Sequence, residues 1–231
     1  MKYLLTLFLI FANALKSEIF NSNSIVQPEV GQDGMVVSQH YLATDVGYSI
    51  LKSGGNAYDA SIAVAFTLAV VLPRAGNIGG GGFMVMYDKK SDKTFSIDYR
   101  EKAPEFATKD MFLNDDGSVD TKRATQGILS IGVPGTVYGM WEVHQKFGSL
   151  PWEDLIKPAI NLAEKGFKIS PFMTDVLNDQ YEKLSNFKNF KRIFYSSYPV
   201  KIHQELKQPN LARTLKKISQ NGAKGFYEGE V

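Results

Sequence analysis

Residues 73–83 read PRAGNIGGGGF, with four consecutive glycines at positions 79–82. Each glycine gives up more backbone freedom on ordering than any other residue type. The run therefore calls for a reason: a phosphate cradle, a hinge, or a turn in the chain. Its flanks discriminate. A dinucleotide or Walker-type loop needs a strand, then glycines, then a helix whose N-terminus faces the anion. Here the order is helix, glycines, strand, and the spacing fits neither G-x-G-x-x-G nor G-x-x-x-x-G-K-[ST]. What remains is a backbone passing tightly against another segment or a small ligand.

Working upstream, AYDASIAVAFTLAVVL (residues 57–72) is helical in length but apolar on almost every face. Such a helix belongs in the middle of a domain. Asn56 stands where an N-cap belongs, and Asp59 can back it up. HYLATDVGYSILK predicts an earlier helix closed by Gly54 and Gly55, and GMVVS (34–38) predicts a short strand. Downstream, FMVMYD and TFSIDYRE joined by the polar KKSDK predict a β-hairpin. DMFLNDDGSVD reads as an exposed turn region. A helix follows in GVPGTVYGMWEVHQKFG, and another starts at Ser149 or Pro151 and ends at Gly166. Residues 170–231 are mostly helical by pattern. The mixture predicts an α+β fold.

Composition narrows the function. The chain has 231 residues, long enough for a substantial core, and a formal net charge of +2 argues for neither nucleic acid nor an acidic partner. With no cysteine there is no disulfide, thiolate metal site or cysteine nucleophile. Lys2, the apolar YLLTLFLIFA and Ala12-Asn13-Ala14 have the three regions of a cleavable export signal over residues 1–14. Its apolar run falls short of the ~20 residues a membrane span needs. The expectation is an exported protein beginning near Leu15, periplasmic or secreted, with no stable membrane insertion.

Among candidate site residues, Arg100 in SIDYREKAP stands first. Alternation puts Asp98, Arg100 and Lys102 on one face and Tyr99 and Glu101 on the other. An arginine at a strand end, before a proline break, is placed to fork onto a carboxylate, or else to pair internally with Asp98. His40, His144 and His203 lack metal-ligand spacing, so no metal is expected. Ser38 and His40 lie close in sequence without an evident acidic orienter, and no G-x-S-x-G elbow exists. The basic, aromatic NFKNFKRIFYSSYPVK could suit a nucleic acid or membrane. A helix with Phe187, Phe190 and Phe194 inward explains it in an exported chain.

Together these motifs resemble the N-terminal part of a γ-glutamyltransferase (γ-glutamyl transpeptidase, glutathione hydrolase). The likeness runs through GGNAYDA, NIGGGGF, YREKAP, GVPGTVYGMWEVHQKFG and LARTLKKISQNGAKGFYEGE, in the family's own order. The resemblance implies an N-terminal-nucleophile hydrolase fold, a four-layer αββα sandwich present here only in part. It implies a precursor that cuts itself into large and small subunits and exposes a threonine. The threonine hydroxyl attacks a γ-glutamyl amide such as that of glutathione, with its own amino group as base and no cofactor. Arg100 would bind the substrate α-carboxylate. The threonine matches nothing in this chain, so residues 15–231 are expected to be an incomplete large-subunit part. Such a part would be inactive alone and would need the C-terminal remainder and small subunit as partners. Half a sandwich leaves strand edges and a sheet face open. An inactive homologue serving as a binding protein, or part of a related cephalosporin acylase, are the competing expectations.

Overall fold

The computed structural model describes residues 30–231; the expected export signal lies outside them. The chain divides at Met35/Val36. Of the first unit only residues 30–35 are described, an irregular segment, and every element below lies in Val36–Val231. In chain order these are α1 (Tyr41–Lys52), α2 (Ala57–Val71), β1 (Phe83–Asp88), β2 (Lys93–Asp98), α3 (Thr121–Thr125), a 3₁₀ turn (Ile128–Ser130), α4 (Thr136–Phe147) and α5 (Trp152–Lys165). There follow β3 (Phe167–Lys168), α6 (Pro171–Asp179), α7 (Tyr181–Leu184), α8 (Lys188–Phe194), β4 (Glu205–Leu206), α9 (Pro209–Asn221) and α10 (Lys224–Tyr227). The α+β class expected from the sequence holds.

Helix α2 is the centre. Ile62, Ala63, Phe66, Val70 and Val71 are buried, and α1, α4 and α5 pack around it. Its alanines and the neighbouring glycines permit close crossings. A Cβ on Gly47 of α1 would overlap the Val64 side chain of α2. The start is a capping box: Asn56 Oδ1 accepts the Tyr58 and Asp59 N–H groups, and Asp59 accepts the Asn56 N–H at 3.0 Å.

Asp59 does more than the sequence reading assigned to it. It is fully buried, and its carboxylate also accepts the Ser149 N–H at 3.1 Å and the Ser149 hydroxyl. Asn56 Nδ2 donates to the Phe147 carbonyl at 2.7 Å. One helix start thus ties down the turn between α4 and α5. Charge-assisted bonds of this kind each contribute about 1.5–3 kcal/mol. At the other end of α2, Gln208 Nε2 donates to the Val70 carbonyl, satisfying one of the orphan carbonyls. Trp152 of α5 reaches the Ile218 carbonyl of α9 through its indole N–H at 2.9 Å.

The hairpin forms in antiparallel register, Phe83 opposite Asp98 and Met86 opposite Phe95. Asp88 accepts N–H groups from Lys90 and Ser91 across the turn, and Asp92 adopts φ 54° there. One face is covered through Met86, Phe95 and Ile97. The other carries Phe83, Val85 and Tyr87 at 63%, 76% and 59% exposure. The face left open was expected of a partial sandwich. The remaining sheet is a second two-stranded ribbon, β3 with β4.

Residues 34–38 and Phe187 depart from expectation. Residues 34–38 form no strand, although side chains 36–38 alternate in burial. Extended backbone becomes a strand only when a partner supplies the ladder. Phe187 does not point inward: it precedes α8 as its N-cap and is 46% exposed, while Phe190 stacks on the buried Phe194 at 4.3 Å.

His40 caps α1, its Nδ1 accepting the Leu42 N–H at 3.2 Å, and it is buried against Tyr41 and Phe167. Burial lowers its pKa from 6.5. Above that pH the group costs nothing. As pH falls below 6.5 the unfolded chain takes up a proton that the folded imidazole resists, so stability is lost until the folded pKa is reached. Protonation of Nδ1 would also remove the cap acceptor. His40→Asn keeps an acceptor without titrating. Its melting temperature should fall less steeply than wild type between about pH 7.5 and 5.5; equal slopes would refute the assignment.

Candidate functional site

The backbone that presents Arg100 is held on both sides. Strand β2 ends at Asp98, but pairing continues one residue further: Tyr99 N–H donates to the Gly82 carbonyl at 3.0 Å, and Gly82 N–H to the Tyr99 carbonyl at 3.3 Å. Beyond it, Lys102 and Val133 exchange hydrogen bonds at 3.1 and 2.8 Å. Asp98 Oδ1 accepts the Arg100 backbone N–H at 2.9 Å. The internal ion pair with Asp98 does not form. Among the described residues no carboxylate lies within ion-pair distance of the guanidinium, which is exposed with its Cζ 5.9 Å from the Phe83 ring centroid.

The glycine run explains how two more segments reach this place. The Gly80 carbonyl accepts N–H groups from Gly135 at 2.8 Å and Thr136 at 3.0 Å. These are orphan donors at the start of α4, whose N-cap Gly135 has no side chain to satisfy them. Asn77 Oδ1 supports the arrangement, accepting the Gly80 N–H at 2.9 Å and the Thr136 hydroxyl at 2.8 Å. A Cβ on Gly81 would collide with the Tyr99 carbonyl and sit 2.7 Å from the Arg100 Cα. A Cβ on Gly135 would strike the same carbonyl, and one on Gly139 the Tyr99 side chain. Tyr99 and Arg100 thus run against glycines from two separate segments. The role is close backbone packing, as the flank order implied, though Gly79 faces open space and takes no part.

Beside Arg100 opens a cleft of roughly 440 Å³ between the hairpin end and α4. Lys102 shares its wall with Arg100, and so does Tyr99, which the alternation had put on the opposite face. Asp98 and Glu142 add carboxylates, and Tyr138 and Tyr227 add rings. Burial raises the pKa of the Tyr99 phenol. The cleft thus sets an unpaired guanidinium and the Lys102 ammonium beside the carboxylates of Asp98 and Glu142, and the guanidinium is able to fork onto an anionic group.

The other sequence candidates lie elsewhere. Ser38 Oγ donates to the His40 carbonyl and meets Thr44 Oγ1, while the His40 ring caps α1. That is a helix start and gives no nucleophile–base pair. His144 Nε2 lies 2.9 Å from the Leu150 carbonyl, and His203 is exposed. Among the described residues no three His, Asp or Glu side chains gather as a metal site, and no helix is long and apolar enough to cross a membrane. Sequence reasoning missed Asn77, Thr136 and Tyr227. Asn77 could have been found inside NIGGGGF; the other two act across distances that no local pattern encodes.

If close approach is the role of the run, its glycines are unequal. Gly81→Ala should destabilise by about 1–3 kcal/mol, since backbone must move to admit a methyl. Gly79→Ala should stay within about 0.5 kcal/mol of wild type. Urea unfolding of both variants decides, and equal effects would sink the packing account.

Comparison with known proteins identifies the family. The Gamma-glutamyltranspeptidase family model matches residues 43–231. A glutathione hydrolase proenzyme of Pseudomonas sp. (strain A14) is 46% identical over 227 residues, 96% of this chain and 39% of the relative. The chain thus spans about two fifths of that relative's length. The crystal structure of Helicobacter pylori gamma-glutamyltranspeptidase superposes with a TM-score of 0.84 at 42% identity, covering 89% of this chain and 59% of that one. A cephalosporin acylase from Bacillus halodurans, at 24% identity and a TM-score of 0.71, shares the fold. It covers 87% of this chain and 39% of its own. The architecture is that of the N-terminal-nucleophile hydrolases, and the chain belongs to the gamma-glutamyltranspeptidase family.

Proposed function

We propose that this chain forms the donor-anchoring part of a γ-glutamyl-transfer enzyme, in which Arg100 holds the α-carboxylate of a γ-glutamyl donor such as glutathione. One observation carries the reading. The guanidinium is unpaired among the described residues, while the backbone beneath it is pinned by Gly82, Gly81 and Val133. An arginine fixed at its root and free at its tip is organised to receive a carboxylate in a bidentate fork. The scissile amide sits at the far end of the glutamyl side chain. Anchoring the α-carboxylate therefore decides where the γ-carbonyl carbon comes to rest.

On this reading the nucleophile is a threonine supplied by sequence outside residues 1–231 and freed at a new N-terminus by self-cleavage. Its oxygen adds to the γ-carbonyl carbon while its own α-amino group takes the proton. The C–N bond then breaks, the amine leaves with that proton, and a glutamyl ester remains. Water, or the amine of an amino acid or peptide, attacks the ester and regenerates the hydroxyl. The greater length of the Pseudomonas relative, and its description as a proenzyme, support this division of labour.

Residues 1–231 alone should release no chromophore from a γ-glutamyl anilide; robust turnover would overturn the division. In the protein continued by its downstream coding sequence, Arg100→Ala should raise KM for the donor about 10- to 100-fold, with a smaller effect on kcat. Arg100→Lys keeps the charge but loses the fork and should recover only part of the loss. An unchanged KM in Arg100→Ala would remove the anchoring role.

A further inference from the structure

We propose that Tyr227 is a positioning residue for Arg100: its hydroxyl clamps the Pro134 carbonyl and holds segment 133–136 against the backbone on either side of the guanidinium. The inference rests on the anchoring role given to Arg100 above. Tyr227 lies 93 residues after Pro134 in the chain, yet its Oη donates to the Pro134 carbonyl at 2.7 Å. The same oxygen accepts the Tyr138 N–H at 3.3 Å, and the two tyrosine rings meet edge-on at 6.4 Å.

The clamp falls where the backbone has least else to hold it. Proline has no N–H, so of the Pro134 backbone groups only the carbonyl can hydrogen-bond. Its neighbours on both sides bear on Arg100. Val133 exchanges hydrogen bonds with Lys102, and Gly135 donates to Gly80 while lying against the Tyr99 carbonyl. Helix α4 begins without a side-chain cap. Gly80 satisfies the Gly135 and Thr136 donors, and Tyr227 satisfies that of Tyr138. The hydroxyl therefore satisfies one donor of a helix start that walls the Arg100 cleft through Gly135, Tyr138 and Gly139.

The element bearing Tyr227 is itself seated closely. A Cβ on Gly225 of α10 would collide with the Lys217 carbonyl of α9, and one on Gly222 would sit 2.7 Å from the Trp141 ring. Desolvation raises the Tyr227 pKa, so the hydroxyl remains protonated and able to donate across the neutral range. A shift of segment 133–136 would carry Lys102 with it and turn the guanidinium away from its carboxylate.

Tyr227→Phe keeps the ring and removes the hydroxyl. In residues 1–231, hydrogen exchange at the Lys102 and Gly135 amides should quicken about two- to tenfold, while Ile62 and Phe66 amides in α2 exchange at the wild-type rate. Unchanged exchange at Lys102 and Gly135 would overturn the proposal, and so would faster exchange throughout α2, which would make Tyr227 a general support of the fold. In the protein continued by its downstream sequence, the same variant should raise donor KM about two- to tenfold with kcat nearly constant. If Arg100→Ala raises KM and Tyr227→Phe does not, the positioning role is refuted. If Arg100→Ala itself leaves KM unchanged, the anchoring role fails instead, and the exchange rates still report on the clamp.

Discussion

The site depends on one close approach of backbone to backbone. The Gly80 carbonyl caps the start of α4, and Gly81 lies against Tyr99 and Arg100 with no room for a Cβ. Three segments that are far apart in the chain meet there: the glycine run, the end of the hairpin and the loop before α4. Side chains of ordinary size would keep these backbones apart, and the hydrogen bonds that pin Arg100 would not reach. The cost of ordering glycine is offset by bonds that only glycine lets form.

A second tie fixes the helices that carry this assembly. Asp59 and Asn56 join the start of α2 to the turn between α4 and α5, and the buried carboxylate is surrounded by donors. Helix α2 has no polar face to orient it, so apolar burial alone would leave its rotation and axial position poorly defined. Directional bonds at its two ends, from Ser149 and from Gln208, supply that definition. Burial thus contributes most of the stability, and the capping bonds decide the register.

The site joins a rigid backbone to an unengaged side chain. The Arg100 guanidinium makes no ion pair with Asp98, whose Oδ1 instead accepts the Arg100 backbone N–H. The neighbouring acid thereby helps to orient the backbone that carries the side chain. The open hairpin face with Phe83, Val85 and Tyr87 adjoins the same residue, since Phe83 lies under the guanidinium.

Local signals determined a great deal on their own. The caps of α1 and α2, the hairpin, the end of α5 at Gly166 and the central place of the apolar α2 follow from side chains within a few residues of one another. Motif order also led to the family. Other features depended on partners that no local window contains. Residues 34–38 have strand-like alternation and gain no ladder; Phe187 fits a 3–4 spacing and ends outside the helix. Asp59 reads as a cap and proves to be a tether as well, because Ser149 arrives from 90 residues away. At its strand end Arg100 reads equally as an internal ion pair, and only the resemblance of the motifs singles it out; its freedom from Asp98 and the bonds of its neighbours to Gly82 and Val133 exist only once the chain has folded. Hydrogen bonds and van der Waals contacts act over a few ångströms, so sequence can specify the groups that make them while tertiary structure alone decides which groups meet.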